Sequence, residues 1–157
     1  ATSTVNAMII NNDGHVTMPL QPAFSAIALG QSNLANSTQI HFDAETFDRN
    51  ADYNHSTSVF AAPVDGTYYF SVNIRLVSVT ADASYIIIRL VTSNINYDWI
   101  IDPRPGDDTW DYLNPTINVV ADLDASDTAY VYYYQSGGTF NNDIAADTGH
   151  FAGYLVG

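Results

Sequence analysis

The stretch YNHSTSVFAAPVDGTYYFSVNIRL, residues 53–76, decides the fold class. Beyond Gly66 its apolar residues fall on alternate positions. Tyr68, Phe70, Val72, Ile74 and Leu76 share one face, and Tyr69, Ser71, Asn73 and Arg75 share the other. Successive side chains of an extended chain point to opposite sides, so a period of two marks a strand with one buried face. Asp65-Gly66, just ahead of this run, supplies turn chemistry. The same period recurs downstream. SYIIIRLV aligns Ile86, Ile88 and Leu90. TINVVADL aligns Ile117, Val119, Ala121 and Leu123. TAYVYYYQ sets Ala129, Val131 and Tyr133 against Tyr130, Tyr132 and Tyr134. HFAGYL aligns Phe151, Gly153 and Leu155.

Breaks separate these runs. NNDG (Asn11 to Gly14) and SGG (Ser136 to Gly138) are turn sequences, and DPRPG (Asp102 to Gly106) is too rich in proline for a central strand. No segment carries a long 3.6-residue period, and there is neither an internal repeat nor a Gly-X-Y tract. Short strands set between turns predict an antiparallel sandwich or jelly roll of about eight to ten strands. Residues 1–20 read differently. They are polar, with one short apolar run at Met8 to Ile10. They form either a connector or an arm that pairs with a neighbouring chain, and the β domain occupies residues 21–157.

Composition narrows the partners. A chain of 157 residues is one domain by default and long enough to bury a core. It has no cysteine, hence neither a disulfide nor a thiolate zinc site. The net charge is −13, all four cations are arginine, and sixteen of the seventeen acids are aspartate. Aspartate favours turns, which agrees with a loop-rich β protein. Such a surface repels a phosphate backbone and an anionic membrane, so neither is an expected partner. No apolar run spans a bilayer and no basic-then-apolar leader opens the chain. The chain opens on Ala rather than Met, as a processed form or the tail end of a longer polypeptide would.

A family resemblance rests on ordered elements. These are PAFSA with Phe24; then Phe42-Asp43, Asn50, Tyr53-Asn54, Phe60, Pro63, Gly66, Tyr68 and Phe70; then LDASDTAYV at 123–131; and finally Phe151, Gly153 and Leu155 of FAGYL. Their order and spacing resemble the C1q-like domain, the globular head of complement and related proteins in the tumour necrosis factor superfamily. The match runs from Pro22 to Gly157, with Ser126 where the family usually has Gly. Residues 77–116 follow it only in outline. The resemblance implies a ten-stranded antiparallel jelly-roll sandwich (C1q/TNF-like) assembled as a trimer. The run NNDGHVTMPLQPAFSA is similar to the start of such domains in phage and bacterial structural proteins, where a polar arm replaces collagen.

Candidate sites follow from residue chemistry. Asp102, Asp107, Asp108 and Asp111 cluster on one irregular loop, and calcium takes several hard oxygen ligands. The resemblance points the same way. Several family members hold calcium with Asp just before the strand that reads TINVVADL here, and Tyr97-Asp98 resembles an earlier Tyr-Asp of related members. The competing reading is a solvated loop whose aspartates serve turns. Trp99 and Trp110 flank the loop and either stack on a sugar ring or pack into the domain. Outward Tyr130, Tyr132, Tyr134 and Tyr154 are candidates for an interface or a ligand surface, the alternative being packing under loops or simple exposure. His15, His41, His55 and His150 lack metal-type spacing. His55-Ser56 beside Asp52 has no nucleophile elbow. A glycosidase pair carries no specificity among sixteen aspartates. Asn36-Ser37-Thr38 and Asn54-His55-Ser56 match the glycosylation sequon, which matters only in a eukaryotic secretory protein.

The expected function is a non-enzymatic, homotrimeric binding module, extracellular or on a virion surface. It is the distal part of a phage or bacterial fibre or decoration protein that contacts a glycan or protein receptor, with calcium as the only candidate cofactor. The alternative is a secreted C1q-like lectin or pattern-recognition protein.

Overall fold

The computed structural model describes residues 7–106 and 108–157. All regular structure among them is β. The arm folds into a small hairpin, β1 (Ile9–Ile10) against β2 (Val16–Thr17). Asn11 shapes its loop by accepting the backbone N–H of Asp13 at 3.1 Å and of His15 at 2.8 Å on Oδ1. The run read as Met8 to Ile10 therefore has a partner within its own arm.

The domain proper begins with β3 (Ala23–Ile27), β4 (Thr38–Gln39), β5 (Ala44–Arg49), β6 (Tyr53–Asn54) and β7 (Val59–Ala61). Next come β8 (Gly66–Asn73), β9 (Leu76–Val79), β10 (Tyr85–Thr92) and β11 (Asn96–Ile101). The last are β12 (Trp110–Leu113), β13 (Thr116–Leu123), β14 (Thr128–Ser136), β15 (Asp143–Ile144) and β16 (His150–Leu155). One sheet has the order β13-β8-β16-β3-β5. A second runs β11-β10-β14-β7-β6, with β4 also on β14. A small third sheet is β12-β9-β15. Every pairing is antiparallel, and chain-distant strands lie side by side, as in a jelly roll.

The two large sheets meet through an aromatic core. Phe24 of β3 stacks on Tyr53 at 4.7 Å and on Phe60 at 5.0 Å, and meets Phe151 edge-on at 4.9 Å. Phe60 meets Tyr68 and Phe70 edge-on. Phe42 packs on Phe151, and all these rings are buried. Tyr53 donates its hydroxyl to the carbonyl of Phe42 at 2.7 Å, and its burial pushes the phenol up to about 12. A second buried group is polar. Asn142 Nδ2 donates to the Tyr133 hydroxyl at 2.7 Å and to Gln135 Oε1 at 3.0 Å, while its Oδ1 accepts the N–H of Thr80. Gln135 in turn donates to the carbonyls of Gly137 and Thr139. This network fastens two loops to the end of β14, and satisfaction of each group is what makes its burial tolerable.

Two expectations need adjusting. Residues 67–76 alternate as one run, yet the strand breaks at Ile74 and Arg75, and β9 joins the third sheet. There the Ile74 N–H goes to the Pro115 carbonyl, extending the β8–β13 register, while the Arg75 carbonyl accepts from Ala145, extending that of β9 and β15, so the chain changes sheets between these two residues. Asp65-Gly66 does not close a hairpin, because β7 and β8 lie in different sheets. A Cβ at Gly66 would sit 2.7 Å from Leu155 Cδ1 and 3.2 Å from the Gly157 carbonyl oxygen, so a side chain there would displace the end of Leu155.

Candidate binding surfaces

The described carboxylates of the acidic loop do not gather at one point. Asp102 accepts both arms of Arg104, Nε at 2.8 Å and a terminal nitrogen at 2.6 Å, and also the Arg104 N–H. This pairing holds the Asp102 carboxyl below the usual carboxylate range. Asp108 accepts the N–H of Thr109, and Asp111 lies exposed on β12. Asp107 falls outside the described residues. Asp98, the earlier acid suggested by resemblance, is bridged by Arg89. Among the described residues no three His, Asp or Glu side chains converge. Trp99 and Trp110 are half-buried and pack against the hydrophobic core, and the Trp110 indole lies directly over Gly106.

The outward tyrosines occupy two separate faces. Tyr130, Tyr132 and Tyr134 of β14 stand on the outer face of the sheet that holds β10. Register places them opposite Val91, Arg89 and Ile87, with Tyr85 opposite Ser136. Tyr85 and Tyr134 have ring centres 5.8 Å apart, and Tyr130 and Tyr132 are edge-on at 6.5 Å. The Tyr132 hydroxyl donates to the Ser37 carbonyl at 2.7 Å, which fixes the ring. Arg89 grips Asp98 in a fork, Nε to Oδ1 at 2.6 Å and a terminal nitrogen to Oδ2 at 2.7 Å. Arg89 and Tyr85 did not emerge from sequence, and Asp98 did so only as part of the Tyr97-Asp98 resemblance. Outward alternation on SYIIIRLV was the available signal, but strand pairing is needed to bring them beside Tyr132.

Tyr154 stands on the other large sheet, on β16. Across that sheet the register runs Arg49, Ala23, Tyr154, Tyr69, Val120 in one row and Phe47, Ser25, Ala152, Ser71, Asn118 in the next. Tyr69 and Tyr154 lie 5.3 Å apart, and the Tyr69 hydroxyl donates to Asn118 Oδ1 at 2.9 Å. Val120 and Phe47 are well exposed. Neither row contains an acid, in a chain that has seventeen. A shallow groove of about 520 Å³ opens beside Tyr154, with Val16 and Met18 of the arm on its wall. A larger one of about 680 Å³ adjoins, walled by Met18, Leu20, Val64 and Val156.

The remaining residues of the family signature hold the frame. Gly153 is a close approach: a Cβ there would lie 2.6 Å from Phe70 and 2.9 Å from Phe24. Asn50 takes a left-handed φ of 73° and donates to the Leu20 carbonyl. Asn54 accepts the N–H groups of Ser56 and Thr57. Ser126, where Gly is usual, has a φ of 78°.

Two aromatic-cored sheets with non-sequential strand order define an all-β protein of jelly-roll type. The chain belongs to the C1q domain family, whose model matches residues 23–156. Domains of this family are commonly trimeric binding modules and typically extracellular. Among solved structures it is similar to the globular domain of zebrafish complement 1qA protein, at TM-score 0.69 and 18% identity, covering 87% of this chain and 98% of that one. It is also similar to murine APRIL, at TM-score 0.59 and 9% identity, covering 87% and 99%. At these identities the likeness concerns the fold. No curated protein matches the chain.

Proposed function

We propose that the chain is a homotrimeric, non-enzymatic binding module at an exterior surface, joined through the outer face of the β13-β8-β16-β3-β5 sheet. The observation that carries this reading is the pair of rows through Tyr69 and Tyr154. They are rich in small and aromatic residues and free of acids, whereas a net charge of −13 repels copies that approach by any acidic face. The arm agrees with it: Ile9, Ile10, Val16, Met18 and Leu20 remain exposed in a single chain, and a lone two-stranded hairpin is marginal without cover. The likeness of NNDGHVTMPLQPAFSA to the start of such domains in phage and bacterial structural proteins favours the distal part of a phage or bacterial fibre or decoration protein.

The test is mass by light scattering. A mass near that of three chains supports the reading; a single chain at micromolar concentration overturns it. The second reading, a secreted lectin, is favoured by the tyrosine face on the other sheet. Genomic context separates the two, since a virion structural neighbourhood and a secretory leader make opposite predictions.

A further inference from the structure

We propose that the outer face around Tyr132 is a glycan site that takes neutral pyranose rings against tyrosine, with the Arg89–Asp98 pair hydrogen-bonding their hydroxyls. The inference rests on the binding-module reading but not on trimer formation.

Two depressions of about 360 and 270 Å³ lie side by side on this face and share Arg89 and Tyr132. Tyr85 and Tyr134 wall the first, and Tyr130 and Asn96 wall the second. A pyranose ring has an apolar C–H face and an edge of hydroxyl groups. It therefore needs an aromatic surface with donors and acceptors beside it, and tyrosine supplies an apolar body with a polar tip. Tyr132 is already held by its hydrogen bond to Ser37, so little conformational freedom is lost on binding. Arg89 lines both depressions opposite Tyr132 and is bridged on its other side by Asp98 of β11, each side chain about one-third exposed at 35%. Two guanidinium N–H groups are spent on Asp98 and the rest remain, while the carboxylate keeps further lone pairs. One planar unit thus offers donors and acceptors together, the pattern that vicinal hydroxyls satisfy.

Charge selects among ligands. Among the described residues Arg89 is the only cation lining either depression, and Asp98 neutralises it. A phosphate or a carboxylated sugar would meet no free positive charge there and would face an acidic protein. A protein partner would need an apolar anchor pocket. The two apolar grooves described above lie beside the arm, away from β10 and β14.

The experiment applies the full chain to a printed array of neutral gluco-, galacto- and manno-configured oligosaccharides and their uronic- and sialic-acid counterparts. At least one neutral oligosaccharide is expected to bind. Tyr132→Ala should weaken that binding about tenfold or more, as loss of a stacking ring does. Tyr132→Phe keeps the ring and should bind within a few-fold. Asp98→Asn, an exposed change that does not touch the core, should also weaken binding. Silence on every neutral glycan, preference for the acidic ones, or wild-type binding by both Tyr132→Ala and Asp98→Asn would overturn the proposal. Light scattering on the same samples keeps the two readings apart. A three-chain mass with a silent array removes the glycan site and leaves the assembly. Glycan binding by a single chain does the reverse.

Discussion

The two outer sheet faces both carry a row of tyrosines, yet they are built for different contacts. On the face of β10 and β14 the rings stand beside long side chains and line depressions that share Arg89, itself paired with Asp98. On the face of β8, β13 and β16 the tyrosines alternate with Ala and Ser, and the centre of the surface carries no charge. Tyrosine alone therefore says little about a partner. Its neighbours decide whether the surface grips a small ring or lies flat against another chain.

The largest expected effect comes from placing a charge on the face of β8, β13 and β16. Val120→Asp should shift the mass from three chains to one, because each copy brings a buried like charge to the others at a cost of several kcal/mol. Ile100→Asp, equally exposed but on the tyrosine side, should leave the mass unchanged. If both variants remain assembled, the assignment of the faces fails. A smaller effect tests the core that both faces share. Gly153→Ala forces a methyl group into Phe70 and Phe24 and should cost about 1–3 kcal/mol, read as a lower Tm.

A pH-dependent effect should arise at the junction leading into β6. Burial and the neighbouring Asp48 raise the Asp52 carboxyl above its ordinary value, Asn50 opposes the shift, and Oδ2 is buried without a hydrogen-bond partner. A carboxyl raised in the folded state favours folding when protonated, below the unfolded value. That contribution is lost as pH rises through the folded value. Asp52→Asn should therefore raise Tm at neutral pH, and its advantage should vanish below pH 3.8. The smallest effect is local. Ser126→Gly relieves a left-handed φ and should stabilise by under about 1 kcal/mol in chemical denaturation. It should do so without altering either face.

Much of the frame was legible because one buried face imposes a period of two. The inward residues of β8, β10, β13 and β14 stand where alternation placed them. Alternation says which side of its own strand a residue takes, but not which sheet the strand joins. For that reason Tyr154 was grouped with Tyr130, Tyr132 and Tyr134, although it lies on the opposite side of the sandwich. The buried network was missed for a related reason. Gln135 continues the inward series Ala129, Val131, Tyr133, a position where a polar residue signals an internal partner, but Asn142 sits in a loop with no period to reveal it. The acidic loop looked like a cluster in one dimension, whereas each described carboxylate turns to a local donor or to solvent.

Strand β16 has a temporal consequence. It is the last strand in chain order, yet it lies at the middle of its sheet, between β3 and β8. While the polypeptide is still emerging from the ribosome, β3 and β8 have no central neighbour, and Phe24 and Phe70 lack the Phe151 ring that closes over them. The sandwich can close only after synthesis has passed Leu155, and such long-range closure is slow. A chain stalled before β16 would present open strand edges and bare aromatics, the marks by which quality control distinguishes unfinished products.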